Sequence, residues 1–123
     1  IFRRFGQVFC MTTTYPQVVK AWHYHGNQDD FIACIRGMIK LVLYDDREGS
    51  PTRGEVNELF VGDRDPRLVR VPRMVYHGWE CISLEEAIII TAPTMVYDCA
   101  EPDEFMIDPH RNDIPYTWER KDG

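Results

Sequence analysis

The sequence predicts an all-β fold, a single jelly-roll barrel with an irregular C-terminal tail, on three observations. Helical periodicity is weak throughout, and short runs rich in β-branched and aromatic residues alternate with turn residues, as is typical of sandwiches and barrels. The 123 residues suffice for one domain, 1–123, with one hydrophobic core. From residue 97 onward the chain becomes polar and rich in proline, which predicts little regular structure there.

Eight segments have the composition of strands. A glycine, Gly37, separates the third from the fourth, and it predicts a tight hairpin because glycine reaches positive φ without steric cost. The loops at 46–52 and 62–66 are rich in turn residues. The strands are predicted near residues 7–14, 18–22, 31–35, 38–44, 56–61, 68–71, 78–83 and 87–92.

Composition and charge exclude several classes of partner. The net charge of −6 argues against nucleic acid, because proteins that bind the phosphate backbone concentrate Lys and Arg on one face. Every apolar run falls well short of the roughly 20 residues of a membrane span, so no membrane partner is expected. The first residues lack the pattern of a signal peptide. Four cysteines without a Cys-x-x-Cys pair predict buried free thiols and a cytoplasmic location: Cys10, Cys34, Cys81 and Cys99.

The residues most suited to chemistry form a two-part pattern. His23 and His25 make a His-x-His with Asp30 shortly after it, and a Pro-x-x-x-x-His ends at His77 some fifty residues later. Residues two apart on a strand face the same side, so His25 points into the barrel if His23 does. This two-part pattern resembles that of the cupin superfamily, and the resemblance implies a functional pocket inside a small barrel.

Inward-facing imidazoles are costly unless each has a partner, and two kinds of site would provide one. The first is a divalent metal ion, with His23, His25, Asp30 and His77 as ligands. The second is a hydrogen-bonded catalytic pocket without metal. The remaining alternative is a set of satisfied or half-exposed histidines on the barrel rim.

Asp108 and Lys20 are further candidates. A carboxylate beside a histidine fixes its tautomer and raises its basicity, and such a dyad suits abstraction of a proton α to a carbonyl. The alternative for Asp108 is a carboxylate that caps the turn before Pro109. Lys20, three residues before His23, is the cation best placed to meet an anionic ligand. Aromatic residues should line the cavity: Trp22, Tyr24, Tyr76, Trp79 and Tyr97.

Several motifs together resemble the dTDP-4-dehydrorhamnose 3,5-epimerase family. Residues 20–25 (KAWHYH) are similar to its R-G-L-H-Y-Q, and residues 44–54 (YDDREGSPTRG) to its V-D-L-R followed by S-P-T-F-G. Residues 71–79 (VPRMVYHGW) resemble I-P-x-G-F-A-H-G-F, and residues 108–115 resemble its closing Asn-Asp-Pro and Ile-x-Trp-Pro. Gln7 matches a glutamine on an early family strand. The resemblance covers nearly the whole chain in order.

The resemblance implies a cupin jelly roll, usually a homodimer that exchanges N-terminal strands, and a reaction without metal or other cofactor. The reaction removes and returns protons at carbons 3 and 5 of a 4-keto-6-deoxy sugar carried on thymidine diphosphate. By position, His23 is the general base and Asp108 its orienting partner. Substrate binding falls to Gln7, Lys20, His25, Asp30, His77 and Tyr97.

Three positions depart from the family pattern. The family's catalytic tyrosine should fall near Ile90 or Thr91, and neither of these is a phenol. The family's active-site lysine is replaced by Asp30, and its glutamine after His-Tyr is replaced by His25. Without the tyrosine, we expect epimerisation at one carbon instead of two. Two alternatives remain, a metal-dependent cupin enzyme and a non-catalytic cupin that binds a sugar nucleotide.

Overall fold

Two antiparallel β-sheets pack face to face and form the barrel. The structure, a computed structural model, describes residues 4–119 apart from the side chains of residues 9–13. One sheet has the strand order β1-β8-β3-β6 and the other β5-β4-β7-β2-β9. The strands are Phe9–Thr14 (β1), Val19–Tyr24 (β2), Asp30–Arg36 (β3), Met38–Asp45 (β4), Val56–Gly62 (β5), Val69–Val71 (β6), Val75–Cys81 (β7), Ala87–Pro93 (β8) and Phe105–Met106 (β9).

The all-β prediction is confirmed, since the described residues contain strands, turns and bends but no helix. Each predicted strand is present, with its ends displaced by up to three residues. The prediction of a tight hairpin at Gly37 is wrong. Gly37 does have a positive φ of 71°, but it carries the chain from β3 in one sheet to β4 in the other. Its backbone conformation followed from its sequence, whereas the pairing partners of the two strands did not.

The hydrophobic core lies between the two sheets. Ile32, Cys34 and Ile89 from the four-stranded sheet meet Ile39, Leu41 and Trp79 from the five-stranded sheet. Ile39 and Leu41 have no exposed surface and lie two residues apart on β4, as expected for one face of a strand. Two of these core residues, Ile32 and Trp79, also line the cavity described below.

A β-bulge in β2 directs its side chains to two different faces. Lys20 pairs with Trp79 and His23 with His77, so three steps along β2 match two along β7. The extra residue leaves Trp22 on the outer face of the sheet, where it packs against Val42. His23 returns to the inner face, opposite His77.

The C-terminal tail covers that outer face. Trp118, only 1% exposed, packs in one cluster with Trp22, and Tyr116 donates a hydrogen bond of 2.6 Å to Glu58. The Lys40 ammonium group lies 5.4 Å from the ring centroid of Trp118, within cation–π range. Apart from the short strand β9, the tail is irregular, as predicted. Aromatic packing therefore holds the end of the tail, whereas β9 attaches its middle to β2 by sheet pairing.

The cysteines are free where the structure describes them. Cys34 and Cys81 are buried as predicted, and burial raises the pKa of the Cys34 thiol to about 11, so it stays protonated. Cys99 is exposed in the tail, contrary to the prediction of buried thiols. The side chain of Cys10 lies outside the described residues. No helix among the described residues is long and apolar enough to cross a membrane.

Replacing Gly78 with alanine should destabilise the barrel by about 1–3 kcal/mol, because overpacking a closed site forces the backbone to move. A Cβ there would overlap the Ala21 Cβ and come within 2.8 Å of the Ala21 Cα. At Gly49 a new Cβ meets nothing within 4 Å, and only its φ of 76° opposes alanine. Urea unfolding of both variants tests this. The prediction would be contradicted if Gly78→Ala lost no more unfolding free energy than Gly49→Ala.

Candidate active site

A cavity of about 700 Å³ opens between the two sheets. The strands β2, β3, β7 and β8 line it, together with residues 95–98, 101, 103 and 104. Its volume falls within the range of about 300–1,000 Å³ that is usual for small-molecule sites. The predicted site residues that line it are Gln7, His23, His25, Asp30, His77 and Tyr97.

Three histidines reach the cavity from two adjacent strands. The bulge in β2 turns His23 inward, and His25 follows at the end of that strand, as the His-x-His spacing predicts. His77, 2% exposed, comes from the neighbouring strand β7. The His77 ring centroid lies 5.8 Å from that of His23 and 5.3 Å from that of His25. Two sequence segments about fifty residues apart therefore supply one compact imidazole cluster.

The backbone fixes the tautomers of His25 and His77. The Nδ1 of His25 lies 2.7 Å from the carbonyl oxygen of Asp103, and the Nδ1 of His77 lies 3.1 Å from that of Val75. A carbonyl only accepts hydrogen bonds, so each Nδ1 carries a proton. Both Nε2 atoms then face Asp30, at 3.0 Å and 3.6 Å from its Oδ2.

Burial and charge set the pKa values in this cluster. Burial lowers the pKa of His77 to about 4, which keeps the ring neutral near pH 7. Burial also opposes the charged form of His25, but Asp30, the Asp103 carbonyl and Glu104 together outweigh it, so the pKa of His25 is raised. Burial would raise the pKa of Asp30, yet interactions with His25, His77 and Gln28 together lower it. Asp30 is therefore ionised although only 4% of its surface is exposed.

His23 is held differently from the other two histidines. Its Nδ1 lies 3.4 Å from the carboxylate of Glu104, and its ring stacks on Trp79 with a centroid distance of 5.9 Å. Its Nε2 is buried and has no hydrogen-bond partner among the described residues. Burial lowers the pKa of His23, although Glu104 partly offsets this. A neutral imidazole anchored at one nitrogen and free at the other has the arrangement of a general base.

The structure does not bring Asp108 to His23. Asp108 is exposed, and its carboxylate accepts a hydrogen bond of 2.8 Å from the backbone N–H of His110. This is the turn-capping arrangement, whereas the carboxylate within 4 Å of His23 in the described part of the chain belongs to Glu104. The physical reason is that Phe105 and Met106 of β9 pair with the end of β2, and this pairing places Glu104, the preceding residue, at the cavity.

Lys20 also lies away from the lining. It is half-buried opposite Trp79 across the β2–β7 pair, and it is not among the residues that line the cavity. Its role in substrate binding stays a prediction. The described lining contains neither lysine nor arginine, and its carboxylates are Asp30, Asp98, Glu101, Asp103 and Glu104.

Asp103 is a site residue that the sequence did not indicate. Its carboxylate accepts hydrogen bonds from the backbone N–H groups of Gly26, Asn27 and Gln28, at 2.8, 2.8 and 3.1 Å. These bonds tie the tail to the loop after β2 and hold Glu104 beside His23. The partners lie more than seventy residues apart in two irregular segments, so no periodicity or motif could have paired them.

The position expected for the family tyrosine carries a smaller hydroxyl. Thr91, on β8, is 4% exposed and lines the cavity, whereas Ile90 is not among the lining residues. Tyr97 lines the cavity from the tail and is 53% exposed. The Tyr97 backbone N–H donates to the side-chain oxygen of Gln7 at 3.3 Å. The predicted pair Gln7 and Tyr97 therefore lies on one wall.

A two-sheet barrel with a histidine-lined cavity defines a cupin-type small-molecule site. The chain belongs to the dTDP-4-dehydrorhamnose 3,5-epimerase family, whose sequence pattern matches residues 2–122. The family resemblance predicted from the motifs is thereby confirmed.

Individual relatives agree with this membership. The chain is 42% identical over 92 residues to the probable low-salt glycan biosynthesis epimerase Agl13 of Haloferax volcanii, a match covering 74% of this chain and 59% of that protein. It is 36% identical over 118 residues to the spore coat polysaccharide biosynthesis protein SpsL of Bacillus subtilis, covering 96% and 78%. A solved dTDP sugar isomerase from Desulfovibrio desulfuricans G20 superposes with a TM-score of 0.90 at 28% identity, covering 98% and 76%.

Proposed function

We propose that the protein epimerises or isomerises a nucleotide-linked 4-keto-6-deoxy sugar by removing a proton α to the ketone. The observation that carries this proposal is that His23 lines the cavity and its buried Nε2 has no hydrogen-bond partner among the described residues. Membership of an epimerase family and the likeness to a dTDP sugar isomerase support the substrate class. Transfer of solvent deuterium into such a sugar tests the proposal.

In this mechanism His23 takes the proton from a carbon next to the ketone through its Nε2. Such a proton is acidic because the resulting carbanion is delocalised as an enolate. Glu104, 3.4 Å from Nδ1, keeps the tautomer that leaves Nε2 free and stabilises the imidazolium as it forms. Delivery of a proton from solvent water to the opposite face of the enolate inverts the carbon. Because a threonine lines the cavity near the expected tyrosine position, we propose inversion at one carbon.

The proposed substrate carrier is thymidine diphosphate, and the proposed assembly is a homodimer in the cytoplasm. Phe5 and Val8 are more than half exposed, and the Gly6 backbone N–H between them donates to the Pro93 carbonyl, so the segment beside β8 carries exposed apolar side chains. Such a surface suits a partner copy that adds to the N-terminal edge. The free thiols of the described cysteines suit a reducing compartment.

A non-catalytic cupin that binds the same sugar nucleotide is the second candidate. The observation in its favour is Thr91, because a threonine hydroxyl is a far weaker acid than a phenol. Binding of a dTDP sugar without any proton exchange would support this candidate, and turnover would exclude it.

The carboxylate that orients His23 can be identified by exchanging each candidate for its amide. Glu104→Gln should lower kcat by about tenfold to a hundredfold, because loss of the charge that stabilises the imidazolium removes part of general-base catalysis. KM should change little. Asp108→Asn removes the other carboxylate and should have the smaller effect. Steady-state kinetics on both variants measure the two effects. A larger loss of kcat in Asp108→Asn than in Glu104→Gln would assign the orienting carboxylate to Asp108.

A further inference from the structure

We propose that His25, Asp30 and His77 form a binding site for a divalent transition-metal ion. Their potential ligand atoms, two imidazole nitrogens and one carboxylate oxygen, lie within 4.8 Å of one another. All three residues line the cavity, and Asp30 and His77 are almost fully buried. The proposal concerns metal binding alone and does not depend on the epimerase activity.

The first argument is the outer hydrogen bonding of the two histidines. A metal-binding histidine usually donates its other ring N–H to a carbonyl or carboxylate, which fixes the tautomer and aims the free nitrogen at the ion. The Nδ1 of His25 meets the Asp103 carbonyl, and the Nδ1 of His77 meets the Val75 carbonyl. Both Nε2 atoms are left pointing towards the same oxygen of Asp30.

The second argument is the balance of donors and acceptors at that oxygen. With Nδ1 protonated, a neutral histidine presents only a lone pair at Nε2, and an ionised carboxylate presents only lone pairs. A proton on His25 would satisfy its 3.0 Å contact with Asp30 Oδ2, whereas the His77 Nε2, at 3.6 Å from the same oxygen, lies beyond ordinary hydrogen-bond distance. One cation among the three atoms satisfies all of them.

The third argument is geometric. Ligands bound at about 2.0–2.1 Å in a tetrahedral zinc site lie about 3.3 Å apart. The two nitrogen-to-oxygen distances of 3.0 and 3.6 Å bracket that separation. The other oxygen of Asp30 accepts a 2.9 Å hydrogen bond from Gln28, which orients the carboxylate. All three ligand atoms lie within 4.8 Å of one another, so binding an ion requires side-chain rotations that draw them together.

The ligand set indicates which ions would bind. Two imidazoles and one carboxylate suit Zn²⁺, Fe²⁺, Co²⁺ or Mn²⁺ and offer too few oxygens for Ca²⁺ or Mg²⁺. Three protein ligands leave a position open for water or a substrate oxygen. The surrounding lining is acidic and holds no lysine or arginine among the described residues, which further favours a cation. His23 falls outside the three-residue group, so the four-ligand set predicted from the sequence contracts to three.

Metal titration of untagged full-length protein, first stripped with a chelator and dialysed, tests the site. Zn²⁺ measured by calorimetry should bind at one ion per chain, and Co²⁺ should give the visible bands of a low-symmetry nitrogen and oxygen site. Asp30→Asn and His25→Gln should each weaken binding by at least about tenfold, because removing even an outer-shell group of a metal site costs that much. Circular dichroism of the two variants confirms that they fold.

Two matched variants separate this site from weaker attractions. Asp98→Asn removes a carboxylate of the same cavity outside the cluster, and His110→Gln removes the described histidine that does not line the cavity. Both should keep the affinity of the unaltered protein. Absence of binding at saturating Zn²⁺ would overturn the proposal, as would equal losses for Asp98→Asn and Asp30→Asn. Proton exchange without metal binding would refute the metal site and leave the proposed epimerase activity standing. Metal binding without proton exchange would refute the epimerase activity and leave the metal site standing.

Discussion

Replacing His23 with asparagine should abolish the incorporation of solvent deuterium into dTDP-4-keto-6-deoxyglucose. The free Nε2 of His23 is the proposed proton acceptor, and asparagine has no group of comparable basicity. Removal of a general base typically costs a factor of about 10² to 10⁴. Asparagine can still donate a hydrogen bond towards Glu104, so the cavity wall should remain intact.

Proton NMR of the sugar in heavy water measures this effect directly. The carbon that loses its proton signal identifies the reaction, and exchange at carbon 3 or carbon 5 alone would support inversion at one centre. His110→Gln is the matched control, because it changes a histidine that lies outside the cavity lining. Undiminished exchange in His23→Asn would refute the role of His23. Tight binding without exchange in the unaltered protein would favour the binding-only cupin.

Replacing Asp45 with asparagine should reduce the free energy of unfolding by about 1–3 kcal/mol, since the buried Asp45 carboxylate loses part of a set of charge-assisted hydrogen bonds. The Asp45 carboxylate, at the end of β4, accepts hydrogen bonds from the Arg47 guanidinium at 2.9 and 3.0 Å. The hydroxyl groups of Ser50 and Thr52 also donate to it, at 2.6 and 2.5 Å. Asparagine can accept only some of these bonds.

Asp65→Asn is the matched control for this substitution. Asp65 and Arg67 have the same spacing and the same paired contacts, at 3.1 and 3.0 Å, but both side chains are about half exposed. An exposed ion pair of this kind contributes at most about 1 kcal/mol. Chemical denaturation of both variants at pH 7 compares the two sites. Equal losses of unfolding free energy in the two variants would show that the hydroxyl contacts and the burial of Asp45 do not add to stability.

The effect at Asp45 should depend on pH. Hydrogen bonds from Arg47, Ser50 and Thr52 hold the pKa of the Asp45 carboxyl well below its usual range. A carboxyl group whose pKa is depressed on folding stabilises the protein at pH values above its unfolded pKa, about 3.9, and loses that contribution as the pH falls towards the folded pKa. The difference between the unaltered protein and Asp45→Asn should therefore be constant near neutrality and shrink below about pH 4. Denaturation repeated from pH 7 to pH 3 measures it.

The strands were predictable because their signal is local. Alternation and β-branched composition located each long strand within three residues, whereas β9, with two residues in a polar tail, offered no pattern. Pairing is a long-range property, and the error at Gly37 shows this. A positive φ followed from glycine, but whether β3 and β4 pair depends on partners far along the chain.

The candidate site divides in the same way. The spacing of His23, His25 and His77 placed all three in one cavity, because strand periodicity and a shared barrel suffice to bring them together. The carboxylate beside His23 could not be found in this way. Asp108 resembles the expected residue in sequence, but the register of β9 places Glu104 there instead.

The sequence by itself therefore determined the fold class, the family and the histidines of the cavity, since these depend on residue type and local spacing. Only the tertiary structure decided what each histidine faces. The bulge in β2 turns His23 inward, the bonds from Asp103 hold the tail against the cavity, and the backbone carbonyls select the tautomers of His25 and His77. These contacts join irregular segments and backbone atoms that carry no sequence signature, so only folding brings them together.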